Sequence, residues 1–124
     1  MKLDLEKRGS LAIHCVVNGP IQTNTYFAVS KGEAAIIDPA WDGEKLAEVF
    51  AERCPDARVS AIICTHGHAD HIGGVAGLRR ALGPDVPFMI SAADKDFMAG
   101  AIESMREMWG FDHEMPPTPD RLLN

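Results

Sequence analysis

Short apolar runs rich in β-branched residues recur along this sequence, and glycine, proline or polar residues separate them. Runs of this kind are typical of β-strands, whether half-buried or wholly buried. The strands that the pattern predicts cover residues 11–17, 23–30, 33–38, 58–65 and 86–91. Only Lys31 and Gly32 separate the second run from the third, which predicts a β-hairpin with a short turn.

Helical spacing of apolar residues occurs between and after the later strands. The helices that it predicts cover residues 42–54, 73–83 and 92–110. Asp42 is the expected N-cap of the first helix, and Gly100 is a candidate break in the third. The proline-rich tail after the third helix predicts an extended connection. Strands that alternate with helices indicate an α/β arrangement with a layered sheet.

Composition and charge narrow the possible partners. The 124 residues suffice for one domain with its own core, and the formal net charge is −6. No basic cluster is longer than the pair Arg79-Arg80, which is too small for an electrostatic nucleic-acid surface. No apolar run reaches the roughly 20 residues of a membrane helix, and the charged start does not resemble a secretory signal. We therefore expect a protein that binds neither nucleic acid nor a membrane.

The cysteines indicate the cellular compartment in which the protein is expected. Cys15, Cys54 and Cys64 are dispersed and odd in number, as expected of reduced thiols in a cytoplasmic protein. Each is interpreted as a small buried hydrophobe. Cys64 lies close to His66, but it falls inside a predicted buried strand, so we assign it to the core and not to catalysis.

The strongest chemical signal is the stretch AIICTHGHADHIGG at residues 61–74, between a predicted strand and a predicted helix. Side chains two apart in an extended segment point the same way, so His66 and His68 can reach one metal ion. Asp70 and His71 lie past the turn and can face a second ion. Imidazole and carboxylate suit zinc, and also iron or manganese. The alternative is a polar loop whose imidazoles only form hydrogen bonds.

Four segments of the sequence resemble one known family. THGHADHIGG resembles the signature of the metallo-β-lactamase superfamily, and within it the chain is most similar to the glyoxalase II group of hydroxyacylglutathione hydrolases. The supporting segments are residues 19–26, 34–40 and 116–124. The resemblance implies an αββα sandwich, with two sheets inside and helices on both outer faces.

The resemblance also implies roles for particular residues. His66 and His68 would bind the first of two zinc ions, and Asp70 and His71 the second. Asp38 would steady the histidine loop without binding metal, although it could also be an ordinary cap before a proline. The implied reaction is hydrolysis of a thioester such as S-lactoylglutathione by a metal-bridging hydroxide. Asp70 would orient that hydroxide and is the predicted catalytic residue.

The sequence departs from the family pattern in one respect. Members of the family need two further histidines and a bridging aspartate from later in the chain. His14, a predicted strand residue, and His113, a predicted solvated loop residue, do not fit those positions. We therefore expect residues 1–124 to be the N-terminal half of the domain, truncated before the remaining metal ligands and inactive alone. A homo-oligomer or the missing C-terminal half would cover its open sheet.

Two other functions stay open. One is a mono-iron persulfide dioxygenase of the same superfamily, and the other is a non-catalytic half-domain that self-associates. The last predicted helix raises a related choice, because its large apolar residues could line a substrate pocket or cover the core. The second interpretation is preferred. The residues concerned are Phe97, Met98, Met105, Met108, Trp109 and Phe111.

Overall fold

Seven strands and four helices make up the part of the chain that the structure, a computed structural model, describes, which is residues 2–111 and 113–123. The strands are β1 Lys2–Arg8, β2 Leu11–Asn18, β3 Thr23–Ser30, β4 Glu33–Ile37, β5 Arg58–Cys64, β6 Phe88–Ser91 and β7 Arg121–Leu123. The helices are α1 Gly43–Arg53, α2 Ala69–Ile72, α3 Val75–Leu82 and α4 Phe97–Trp109. None of these helices is long and apolar enough to span a membrane.

All seven strands belong to one mixed sheet, in which they lie in chain order. β1 to β4 pair antiparallel, whereas β4 to β7 pair parallel. The carboxyl ends of parallel strands meet at the same edge of a sheet. The residues that follow β4, β5 and β6 are therefore brought together at one edge.

The five predicted strands are all present, each within two residues of its expected bounds. The predicted hairpin is confirmed, because β3 and β4 pair antiparallel across the turn. Lys31 and Gly32 adopt φ values of 52° and 79°. Such positive values at both central positions match a tight hairpin turn that follows the twist of its strands.

Two strands were not predicted. β1 carries mostly charged residues but pairs with β2 along its whole length, from Lys2 opposite Val17 to Arg8 opposite Leu11. Charged residues are common on edge strands, which is why the apolar pattern did not mark this one. β7 lies in the tail that was predicted to be extended and pairs parallel with β6. A strand of three residues is too short to show a period.

The helices differ from the prediction in three respects. The helix expected at 73–83 is preceded by the short helix α2, so Asp70 and His71 lie on a helix and not in a loop. The last helix begins at Phe97, and Gly100 does not break it. Asp42 is confirmed as the N-cap of α1, since its Oδ1 accepts a hydrogen bond of 3.3 Å from the backbone N–H of Lys45.

The core lies against one face of the sheet. Phe27, Ile36, Ile62 and Phe88 occupy neighbouring positions on four adjacent strands. All four are 0% exposed. Phe50 of α1 meets the ring of Phe27 edge-on, with ring centroids 5.3 Å apart. Burial of these side chains is the main stabilising contribution to the sheet and its helices.

The reverse face of the sheet carries a second apolar row. Cys15, Tyr26, Ile37, Ile63 and Met89 are paired across five adjacent strands. Each follows or precedes a core residue by one position, so it points to the opposite face. All five are partly exposed. We call this row the open face.

Helices α1 and α3 pack closely because of a glycine at the start of α1. A Cβ atom at Gly43 would overlap the carbonyl oxygen of Gly74 and the backbone nitrogen of Leu78. Both are backbone atoms, so neither can rotate away. The absence of a side chain at Gly43 therefore sets the separation of these two helices.

Replacement of Gly43 by alanine should destabilise the protein by about 3 kcal/mol, because the added methyl group forces α1 and α3 apart. Gly100→Ala is the matched control, since a Cβ there meets nothing within 4 Å. The control should stabilise the protein by about 0.5–1 kcal/mol through helix propensity. Urea unfolding measures both changes, and equal effects of the two substitutions would refute the close-contact interpretation.

Candidate metal centre

The predicted metal-binding residues meet at the carboxyl edge of the parallel strands. Asp38 directly follows β4, and the loop 65–68 connects β5 to α2. The backbone N–H of Asp38 donates a hydrogen bond of 2.8 Å to the carbonyl of Ile63 in β5. Residues that are far apart in the sequence thus become neighbours through strand pairing.

Three imidazole rings cluster at this edge. The ring of His66 lies 4.6 Å from that of His68 and 4.0 Å from that of His71, between centroids. One oxygen of Asp70 lies 3.2 Å from Nε2 of His71. All four predicted ligands therefore belong to one cluster. Their division between two ions stays a prediction, because His71 is next to both His66 and Asp70.

Asp38 holds this cluster in place. Its carboxylate accepts hydrogen bonds from the backbone N–H of Thr65 at 2.7 Å and from the Thr65 hydroxyl at 2.6 Å. The same carboxylate lies 3.0 Å from Nδ1 of His71. Asp38 is only 4% exposed. Burial raises the pKa of a carboxyl group, but the hydrogen bonds from His71 and Thr65 outweigh it and lower the pKa of Asp38.

His71 is oriented by carboxylates on both sides. The hydrogen bond to Asp38 raises the pKa of His71, burial opposes this effect, and the charge of Asp70 adds to it. Because Asp38 can only accept, Nδ1 of His71 carries the proton that faces it. Nε2 of the neutral ring is then the atom available as a metal ligand.

His66 is oriented through a hydroxyl group. Nδ1 of His66 lies 2.8 Å from Oγ1 of Thr65. Since that hydroxyl donates its proton to Asp38, it accepts from His66 and leaves Nε2 of that ring as a potential ligand. Burial lowers the pKa of His66, and the charges of the neighbouring His71 and His68 rings lower it further. A lowered pKa favours the neutral imidazole that binds metal.

The cluster fits a divalent metal ion. Potential ligand atoms of Asp38, His66 and His71 lie within 4.8 Å of one another. Neutral imidazole nitrogen and carboxylate oxygen are good ligands for zinc, and iron and manganese accept the same atoms. Because both oxygens of Asp38 already accept hydrogen bonds from Thr65, this residue is better placed to hold His71 than to bind metal itself.

A set of threonines that sequence reasoning missed supports the centre. The hydroxyl of Thr23 donates to Asp70 at 3.3 Å. The hydroxyl of Thr25 donates to the Asp38 carbonyl at 2.7 Å and accepts from the side-chain amide of Asn18 at 2.8 Å. Polar residues at buried positions of an apolar strand were the available signal, because such residues usually have a structural partner.

Other histidines lie outside the cluster. Nε2 of His14 is 3.6 Å from Sγ of Cys54, on the side of the sheet that faces α1. His113 packs edge-on against Trp41, with ring centroids 4.9 Å apart. The prediction that His113 is a solvated loop residue is partly correct, because the residue lies outside the helices and strands but its ring is partly buried between Trp41 and Gly73.

Cys64 lies in the core, as predicted. It is 2% exposed, and burial raises the pKa of its thiol well above the usual value. A thiol with a raised pKa is a poor nucleophile at neutral pH.

The prediction for the apolar residues of the last helix is only partly correct. Met98 is 1% exposed and belongs to the core, whereas Phe97, Met108 and Trp109 are 48%, 76% and 60% exposed.

Comparison with known sequences defines the class of protein. The family profile of the metallo-beta-lactamase superfamily matches residues 18–119, which include Asp38 and the histidine cluster. The chain therefore belongs to the metallo-beta-lactamase superfamily.

Individual relatives are similar to part of the chain. A probable metallo-hydrolase of Bacillus subtilis, YqgX, is 35% identical over 67% of this chain and 37% of its own length. A hydroxyacylglutathione hydrolase of Anaeromyxobacter dehalogenans is 42% identical over 50% of this chain and 23% of its own length. The crystal structure of TTHA1623 in a di-iron-bound form has a TM-score of 0.76 and 35% identity, over 89% of this chain and 53% of that one.

These matches confirm the predicted fold class and the resemblance to hydroxyacylglutathione hydrolases. The sheet and helices correspond to about half of the TTHA1623 structure. The chain spans an even smaller share of the curated relatives that it matches.

Replacement of Asp38 by asparagine should destabilise the protein by about 2–3 kcal/mol, because the buried charge-assisted hydrogen bonds to Thr65 and His71 are lost. Asparagine tolerates the positive φ of 54° at this position, so the backbone is not the cause. Asp120→Asn is the matched control. Asp120 also accepts a backbone N–H, from Phe88 at 2.8 Å, but its side chain is 42% exposed.

Thermal or urea unfolding of both variants provides the measurement. The loss at Asp120 should be much smaller, because solvent screens and replaces its interactions. A loss at Asp38 no greater than that at Asp120 would contradict the proposed role of the buried carboxylate.

Proposed function

We propose that this chain forms part of the active site of a metal-dependent hydrolase that cleaves thioesters, with S-lactoylglutathione as the reference substrate. The observation that carries the proposal is the convergence of three imidazoles and Asp70 beside a buried carboxylate that orients one of them. Similarity to a hydroxyacylglutathione hydrolase supports the thioester as the substrate class.

In this proposal His66 and His68 hold one zinc ion, and Asp70 and His71 hold a second. Bound divalent metal supplies Lewis acidity and lowers the pKa of bound water, so that hydroxide is available near neutral pH. Asp38 and Thr65 fix the rings of His71 and His66 before metal arrives, which reduces the ordering that binding requires.

Asp70 is the proposed catalytic residue. Its carboxylate lies at the boundary between the histidine cluster and an adjoining cleft, and it lines that cleft together with His68. Thr23 holds one of its oxygens through a hydrogen bond of 3.3 Å. The carboxylate can accept a hydrogen bond from the attacking water or hydroxide and so orient it towards the substrate carbonyl.

The remainder of the site is proposed to come from outside this chain. Because the chain spans 53% of TTHA1623, we propose that a C-terminal half of the domain, or a second copy of this chain, covers the open face. The further metal ligands would come from a C-terminal half, so this chain without one is proposed to be inactive. We propose a cytoplasmic protein on the basis of its three free cysteines.

A complementation experiment tests the hydrolase proposal. The chain is mixed with the separately expressed remainder of the Bacillus subtilis relative, and zinc content and S-lactoylglutathione hydrolysis are measured. Hydrolysis is expected only in the mixture. His66→Asn should weaken zinc binding at least about tenfold, because one ligand is lost, whereas His14→Asn should not.

His14 is the matched control because it is also a partly buried histidine, but it contacts Cys54 and not the cluster. A mixture that associates by light scattering, binds no metal and hydrolyses no thioester would overturn the proposal. Equal metal binding by the His66 and His14 variants would overturn the assigned ligand.

Iron gives a second candidate function. TTHA1623 was solved in a di-iron-bound form, and imidazole and carboxylate ligands suit iron as well as zinc. A mono-iron persulfide dioxygenase would consume oxygen in the presence of glutathione persulfide. Oxygen uptake by iron-loaded protein, without thioester hydrolysis by zinc-loaded protein, would favour this alternative.

The open face should also cause self-association of the isolated chain, which is the outcome expected of a non-catalytic half-domain as well. Ile37 and Ile63 are adjacent on this face and only partly shielded. The double variant Ile37→Thr and Ile63→Thr keeps β-branched side chains but should shift the chain towards monomer. Leu5→Thr is the control, because Leu5 is 50% exposed but lies on the other face.

Light scattering across a concentration series measures the association. A monodisperse monomer of the unmodified chain at every concentration would contradict the expected pairing.

A further inference from the structure

An apolar cleft lies between the histidine cluster and α4. It has a volume of about 220 Å³. His68 and Asp70 form one wall, and the other wall is a stripe of α4 residues at helical spacing, including Phe97, Met105 and Met108. The ring of Phe97 meets that of His68 edge-on, with centroids 5.4 Å apart. The cleft is thus continuous with the proposed catalytic centre.

Buried side chains hold α4 against the rest of the protein. Met98 and Ala101 of α4 are 1% and 8% exposed and anchor the helix on the protein. The loop 65–68 and α4 are also in close contact, since a Cβ at Gly67 would lie 3.2 Å from the ring of Phe97. These contacts place the apolar stripe beside the histidine cluster.

The residues that line the cleft suit an apolar part of a substrate better than a charged part. Among the described residues that line it there is no lysine or arginine to bind the carboxylates of a glutathione moiety. The wall formed by α4 consists instead of thioether, aromatic and small aliphatic groups, with Ser104 as a minor polar contribution, and the opposite wall presents the polar side chains of His68 and Asp70. The volume is below the roughly 300–1,000 Å³ of a site that encloses a whole ligand. It matches an apolar portion of a ligand.

We propose that this cleft binds the apolar acyl chain of the substrate, so that the preferred substrates are thioesters of medium-length fatty or arylalkyl acids. The inference rests on the proposed thioester hydrolase function and specifies its substrate class. A lactoyl group is short and carries a hydroxyl, and it would leave the apolar walls in contact with water. The thiol carrier would then lie on the far side of the histidine cluster, outside the cleft.

Binding can be measured without turnover in the metal-free full chain. The probes are the octanoyl and acetyl thioesters of N-acetylcysteamine, which differ only in acyl chain length. The protein contains two tryptophans, and Trp41→Phe leaves Trp109, which lines the cleft, as the only source of tryptophan fluorescence. The octanoyl probe should bind at least about tenfold more tightly than the acetyl probe, because its additional methylene groups are buried.

A substitution that fills the cleft provides the second part of the test. Gly100 lines the cleft, and a side chain there would extend into open space. Gly100→Leu should weaken octanoyl binding at least about tenfold while leaving the protein as stable or more stable, since leucine is a better helix former than glycine. Ala99→Leu is the matched control, because Ala99 is exposed on the same helix and does not line the cleft.

Equal affinity for the two probes would overturn the inference, and so would unchanged octanoyl binding in the Gly100→Leu variant. A Trp109 signal that depends on protein concentration and not on either probe would also overturn it, because a second copy of the chain would then occupy the cleft. These measurements use no metal and no hydrolysis. Failure of the hydrolase proposal would leave chain-length discrimination intact, whereas failure of the cleft proposal would leave metal binding and hydrolysis intact.

Discussion

The carboxylate of Asp38 is the group on which the site depends. A buried carboxylate is costly unless donors surround it, and here Thr65 supplies two and His71 a third. The backbone carbonyl of the same residue accepts the hydroxyl of Thr25. Removing the charge would therefore disturb the end of β4, the loop after β5 and the start of α2 together. One compensated charge couples three segments that the chain brings together only on folding.

This coupling gives the cluster its chemical character. The rings of His66 and His71 are each held at Nδ1, by Thr65 and by Asp38, so that Nε2 of each is available. Imidazoles that are fixed in this way lose little freedom when they bind a metal ion. The cluster is also small, and the proposed second half of the domain would add ligands to a site that is already partly organised.

The open face and the cleft beside α4 are two of the apolar surfaces that the described residues leave exposed, and they differ in their surroundings. The open face lies on the reverse of the sheet, in a row that crosses five strands. Its extent suits another protein surface, because contiguous exposed apolar patches mark interfaces. The cleft beside α4 has a volume of about 220 Å³ and is bordered by His68 and Asp70. Its position and size suit part of a small molecule. In the proposal, the residues that select the substrate therefore lie beside the residues that hold the metal.

Residue type and spacing were enough to predict the five main strands, the hairpin turn, the cap at Asp42 and the four clustered side chains from His66 to His71. These features depend on residues close in the chain, so spacing and residue type were sufficient to predict them. Tertiary structure alone decided that Thr65 meets Asp38, 27 positions away, and that Thr23 meets Asp70, 47 positions away. It also decided which side of α4 is exposed. The physical reason is that strand pairing and helix packing, and not local spacing, determine which distant residues become neighbours.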